Sequence, residues 1–227
     1  MLGFWLDAAS KDDLVPIHHT PLSRRRGRPA KGTPAARDAM LGAALHCFSR
    51  KGYDGAGLRE IAAEAGVDPA LISHQFGSKF ALWKAVVDEI ALRLAAARRS
   101  IEELHGGSGS TEERVREGLT RFITANCDIP ELAKFLSDEL SLPGERQDYI
   151  LREIWEPYQE AMLPLLQEAR EDGLLRHDGS PELTLMMVMG AVMLPLLMMR
   201  LRGLSKRDEA ELSRRLVLDV LPMVLAA

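Results

Sequence analysis

The sequence predicts an all-α protein, and three observations carry that prediction. From Pro34 onward apolar residues recur at spacings of three and four, and no stretch alternates as a strand does. Gly, Pro and Ser interrupt this pattern at regular intervals. Helix-starting residues stand at several interruptions: Asp68 before Pro69, Ser78 before Lys79, and Ser110 with Glu113 three residues on.

The first helix runs from Ala35 to Lys51, places Leu41, Ala44, Leu45 and Phe48 on one face, and ends at Gly52. Two short helices follow, Leu58–Ala65 and Pro69–Phe76. Gly66 stops the first of them with a left-handed backbone angle. Asp68 caps the second, and Pro69 takes the first helical position, where its missing N–H is not needed. Ser78 opens a long helix from Lys79 to about Leu104. Along it Trp83, Val87, Ile90, Leu94, Ala97, Ile101 and Leu104 make a narrow apolar seam suited to packing along other helices. "GGSGS" ends it.

The capping box at Ser110 starts a helix that runs to about Asn126. Pro130 opens another, to about Ser141. "LPGE" breaks the chain, and a helix interrupted by Pro157 and Pro164 continues to Asp172. The final pair covers Pro181 to about Leu201 and Lys206 to about Leu225, the latter capped by Ser205 and Asp208. The expected architecture is therefore about nine helices in three parts: a disordered extension with a basic arm (1–33), a compact helical unit (34–80) and a larger helical body (81–227).

Charge is distributed unevenly over the 227 residues. The net charge is −4. Between Pro21 and Lys79, however, ten lysines and arginines face five acids, whereas from Phe80 onward eighteen face twenty-five. A basic first third on an acidic remainder points to a polyanionic partner at one end. Cys47 and Cys127 lie inside helical patterns and read as small buried hydrophobes. The apolar residues Leu2, Phe4, Trp5 and Leu6 are followed by Asp7, Asp12 and Asp13, not preceded by a basic region, so a cytoplasmic location is expected. Leu183–Met199 is uncharged but short for a bilayer span, and Gly190 and Pro195 interrupt it; a helix buried by protein on all sides is expected instead.

The short helix pair carries the functional signal. With Ile72 and Phe76 facing inward, Ala70, Leu71, Ser73 and His74 fall on or near the outer face, at about 100° per residue. That face is small and uncharged, as a surface docking closely in the major groove needs to be. "RRRGRPAKG" precedes the unit, and Arg24, Arg25, Arg26 and Arg28 form a basic arm fit for a minor groove. Lys79 follows the second helix, where its ammonium can meet a phosphate.

The order Phe48, Gly52-Tyr53, Ile61-Ala62, Ala65-Gly66-Val67, His74, Phe76, Ser78-Lys79 and Leu82 resembles the DNA-binding signature of the TetR family of bacterial transcriptional regulators, over roughly residues 34–82. The resemblance implies a three-helix helix-turn-helix head, with Phe76 in the core, His74 and Lys79 on DNA, and Arg59 on the phosphate backbone. The chain departs from the family pattern where Ser73 replaces a frequent Tyr, Ala70 a frequent Gly, and Ala56-Gly57 the usual Thr or Ser.

One such head reads few base pairs, so a homodimer on a palindromic operator is expected. Met193, Leu197, Leu212, Leu216, Val220 and Val224 are the expected dimer contacts. A small-molecule inducer is expected in the body, lined by Phe122, Phe135, Trp155, Tyr158, Met162, Met186, Met189 and Met193. A dimer controlled by a protein partner, without such a pocket, is the alternative. No cofactor, metal or membrane partner is expected: Glu102-x-x-His105 has the spacing of half a carboxylate-bridged site, but no second copy exists. The P-loop, dinucleotide and nucleophile-elbow motifs are lacking, so an enzyme is not expected.

Overall fold

The computed structural model describes residues 34–177, 179–201 and 206–226. Among them all regular structure is helical: α1 Pro34–Gly55, α2 Leu58–Ala65, α3 Pro69–Phe76, α4 Lys79–Glu102, α5 Thr111–Cys127, α6 Leu132–Glu139, α7 Glu145–Ile150, α8 Glu156–Glu171, α9 Pro181–Leu201 and α10 Lys206–Val224. The one extended pairing is an isolated bridge, Leu175 with Leu225. Around it Arg176 N donates to Val224 O and Ala226 N to Leu174 O, each at 2.8 Å, which fastens the end of the chain to the loop after α8.

Local chemistry sets most boundaries. α1 breaks at Gly52, whose φ of 69° and ψ of 173° no helix accepts. Ser78 Oγ accepts from Ala81 N at 3.0 Å and starts α4. Ser110 and Glu113 form the reciprocal capping box at the start of α5. The caps expected at Ser205 and Asp208 lie outside the residues and side chains described, as do the arm and the rest of the N-terminal extension.

A π-helical turn, Leu151–Trp155, joins α7 to α8 with right-handed helical angles, so among the described residues ten α-helical segments make nine rods. Pro157 explains the turn. In an α-helix its ring would press on the carbonyl of Glu153, four residues back. Widening to a π-turn, with Glu156 N donating to Leu151 O, relieves that contact without breaking the rod.

α4 is the axis of the fold and packs against α1, α3, α5, α8 and the π-turn. Its seam is buried as expected at Trp83, Val87, Ile90, Leu94 and Ile101, and widened by Leu82 and Val86. Ala97 and Leu104 are only half-buried. Beyond α4, His105 Nε2 lies 2.7 Å from Ala161 O; a carbonyl only accepts, so this ring nitrogen is the donor. His105 thus ties the end of α4 to α8.

α9 and α10 pack on each other and on α5. α9 is the one helix among the described residues long and apolar enough to cross a membrane. It buries Leu185, Val188 and Val192 in its own subunit and exposes Leu183, Met186, Met187, Leu194, Met198 and Leu201. It is therefore not covered on all sides within one chain.

Candidate nucleic-acid interface

The α2–α3 turn is built from three local devices. Gly66 sits at φ 67°, ψ 28°, and its N–H and that of Val67 close back on Ala63 O and Ala62 O at 3.2 and 2.9 Å. Asp68 Oδ1 accepts from Ala70 N at 2.8 Å. Pro69 opens α3. At the far end Gly77, φ 77°, donates to Ser73 O at 2.9 Å and releases the chain into α4. Helices of two turns do not persist alone, so α2 and α3 are held by their neighbours. Ile61, Ala62 and Ile72 are buried. Lys51 pairs with Glu60, and Glu64 takes both His46 Nδ1 and the Cys47 thiol, which pins α2 to α1. Burial, with Glu64 beside it, pushes that thiol up to about 12, so Cys47 is a protonated core side chain.

The face of α3 that this scaffold presents is open. Ala70, Ser73 and His74 are exposed. Leu71 differs from the expectation: it is half-buried and packed against the core. Phe76 is half-buried, with the Arg37 guanidinium 5.8 Å from its ring centroid. Arg59 is exposed on the first turn of α2. Arg24, Arg25, Arg26 and Arg28 lie outside the described residues.

Lys79 is already in contact with its own subunit. Its Nζ donates to Asp54 O at 3.1 Å and lies 4.7 Å from the Tyr53 ring centroid. The ammonium has three N–H groups, so one contact leaves donors for a phosphate. Lys79→Ala is expected to weaken binding to all DNA sequences about equally and to lower the salt slope by about 1. A changed base preference in a binding-site selection would put Lys79 on a base edge instead.

Two residues at this end pair in a way that the sequence showed only in part. Tyr53 stacks on Phe48 at 5.9 Å and meets Trp83 edge-on at 6.5 Å. Arg146, from α7, lies 4.3 Å from the Tyr53 ring and pairs through Nε with Glu139 at 2.7 Å. Together they join the end of α1 to the helices behind it. The Gly52-Tyr53 pair was visible as part of a motif; its cationic partner, far along the chain, was not.

Behind the head, α6, α7, the π-turn and α9 enclose an apolar cleft of about 450 Å³. Trp155, Met186, Met189 and Met193 line it, with Leu136 and Ile154. Phe122, Phe135 and Met162, expected in the same lining, are instead fully buried in the core. Phe135 packs on Trp83 at 6.2 Å and Phe122 on Tyr158 at 5.0 Å. Tyr158 lines a different pocket, between α4 and α8.

The expected dimer contacts also divide. Met193 and Leu197 are half-exposed on α9, and Leu212 is half-buried on α10. Leu216, Val220 and Val224 are buried inside the subunit, on the side where α10 meets α5 and α9, and cannot meet a partner. The outward apolar residues of α10 are Leu218 and Met223.

Residues 40–86 match the family model for bacterial regulatory proteins of the TetR family. The chain is 29% identical over 149 residues to the HTH-type transcriptional repressor AcnR of Corynebacterium efficiens, covering 63% of this chain and 70% of AcnR. It is 50% identical over 62 residues to the HTH-type transcriptional regulatory protein RaaS of Mycobacterium tuberculosis, covering 26% and 29% of the two chains. The crystal structure of the hemolysin II transcriptional regulator HlyIIR superposes with a TM-score of 0.62 at 25% identity, over 81% of this chain and 95% of that one. With its three-helix head at the residues where the family model matches, and helices through the rest of the described residues, the chain carries the DNA-binding head of the TetR family of bacterial regulatory proteins.

Proposed function

We propose that this protein is a cytoplasmic, dimeric repressor that binds a palindromic operator and leaves it when a small molecule occupies the body. The observation that carries the reading is the outer face of α3. Ala70, Ser73 and His74 stand clear of the subunit, while Asp68, Gly66 and Ile72 fix the angle at which they are presented. Arg59 and Lys79 flank that face where phosphates pass. The head spans residues 34–80, the arm of Arg24–Arg28 reaches an adjacent groove, and the body from residue 81 supplies dimerisation and the ligand site. AcnR's description as a repressor supports the direction of regulation.

The apolar cleft favours a small-molecule inducer over a protein partner. Its volume falls in the range of ligand pockets, and Met186, Met189 and Met193 can reshape around a guest. A ligand there acts only by favouring one spacing of the two heads over another. The heads must match half-sites about 34 Å apart, or a multiple of that, so a shift of a few ångströms is enough.

The test is a gel-shift titration on DNA flanking the coding region, repeated across salt. A preferred inverted repeat is expected, bound by two protomers, with affinity falling steeply as salt rises. Binding that is weak, indifferent to sequence and insensitive to salt would refute the reading.

A further inference from the structure

A second pocket, of about 410 Å³, lies between α4 and the rod formed by the π-turn and α8. It exists because Pro157 forces that rod to widen, and because α4 presents the small Ala91 and Ala95 one turn apart opposite it. Leu94 and Ile154 complete an apolar floor. Asp88 and Arg98, both on α4, lie at opposite ends, about 15 Å apart along the helix.

The two ends differ in electrostatic character. At the acidic end both carboxylates are occupied: Asp88 Oδ1 accepts from Tyr149 Oη at 2.6 Å, and Glu153 pairs with Arg152 Nε at 3.1 Å. At the other end Arg98 makes no hydrogen bond among the described residues, and its nearest carboxylate oxygen, on Glu102, is 4.0 Å away. Tyr158, 2% exposed, lines the same pocket. Its hydroxyl is buried with no hydrogen-bond partner. Burial pushes the phenol well above its usual range, with the Arg98 charge acting against that, so it keeps its proton and is a donor. A buried hydroxyl is seldom left without a partner, and this one belongs to a pocket-lining residue beside a guanidinium that only Glu102 approaches, at 4.0 Å, which suits an acceptor from outside.

We propose that this pocket binds a small organic carboxylate, which accepts a hydrogen bond from Tyr158 Oη and pairs with Arg98 while its apolar body lies on Ala91, Leu94, Ala95 and Ile154. The acids at Asp88 and Glu153 set the orientation by repelling the carboxylate from their end. The site adjoins the apolar cleft on α9 through Ile154, which lines both, and it stands or falls independently of DNA release, because its occupancy is read on free protein.

Phenylacetate and its neutral isostere phenylacetamide are the probes, titrated calorimetrically into the full chain without DNA. Phenylacetate is expected to bind once per chain with a Kd of about 1 mM or below, and the amide roughly tenfold more weakly. Arg98→Gln is expected to erase the preference for the acid. Tyr158→Phe is expected to weaken phenylacetate roughly tenfold without lowering the melting temperature, since the hydroxyl has no internal bond to lose. Equal binding of acid and amide, an unaltered preference in Arg98→Gln, or no heat with phenylacetate up to about 10 mM would overturn the assignment. A lowered melting temperature in Tyr158→Phe would also overturn it, by showing that the hydroxyl has a partner inside the protein.

Discussion

Trp83→Ala is expected to lower stability by about 3–5 kcal/mol, read as a fall in the urea midpoint. Trp83 is fully buried on α4 and touches aromatic rings from four helices. Phe80 stacks on it at 5.8 Å, Tyr149 tilts against it at 5.9 Å, Phe135 at 6.2 Å and Tyr53 meets it edge-on at 6.5 Å. Tyr53 belongs to α1, Phe135 to α6 and Tyr149 to α7. Removing the indole therefore leaves a cavity where the head meets the body, and the surrounding rings cannot all collapse into it.

Trp83→Phe separates volume from polarity. The indole Nε1 is buried without a hydrogen-bond partner. An orphaned donor costs about 1–3 kcal/mol of desolvation, and a phenyl ring removes it while retaining much of the packing. Phe is thus expected to cost far less than Ala. If Phe and Ala are equally damaging, the indole nitrogen has a partner and the junction is held by polarity, not packing. If Ala falls by less than about 1 kcal/mol, the ring cluster is not the tight junction its distances describe.

What could be read in the sequence was local chemistry. Gly66, Asp68 and Pro69 determine the α2–α3 turn from within a few residues, and each acts in the structure as its type requires. The Ser110–Glu113 box is the same kind of signal. Periodicity placed Ile72 inside and Ser73 and His74 outside because α3 has only one covered face. Leu71 marks the limit of that reading: at the edge of the stripe, neighbouring helices decide how far it turns in.

Where two covers compete, periodicity is silent. The stripe of Leu216, Val220 and Val224 shows that α10 has an apolar face, not which helix meets it; its own subunit does. Phe122, Phe135 and Met162 have the residue types of a ligand pocket and equally those of a core, and packing placed them in the core. Pro157 announced a break in the rod. Widening into a π-turn, which opens a pocket against α4, depends on tertiary neighbours and left no mark in the sequence.

The corrected burial of α10 redirects the test of dimerisation to α9, where the double variant Met187→Glu, Met198→Glu is expected to yield monomers in sedimentation. Met187 and Met198 are 49% and 44% exposed, so neither charge has to enter the core of its own subunit. They stand eleven positions apart on one helix, just over three turns, so both project nearly the same way, along the line of Leu183, Leu194 and Leu201. A two-fold axis brings each surface against its own copy. Two substitutions per chain therefore bring four carboxylates into one apolar interface, a loss that a dimer held by that face cannot absorb. DNA affinity is expected to fall with it, by roughly 10²–10⁴, because the second head no longer binds at the effective concentration set by the first. Thermal unfolding of the monomer should remain cooperative, in contrast to Leu216→Asp, which places a charge inside the subunit and should unfold it. A double variant that still sediments as a dimer would remove α9 from the interface and leave its exposed apolar face without a role in dimerisation.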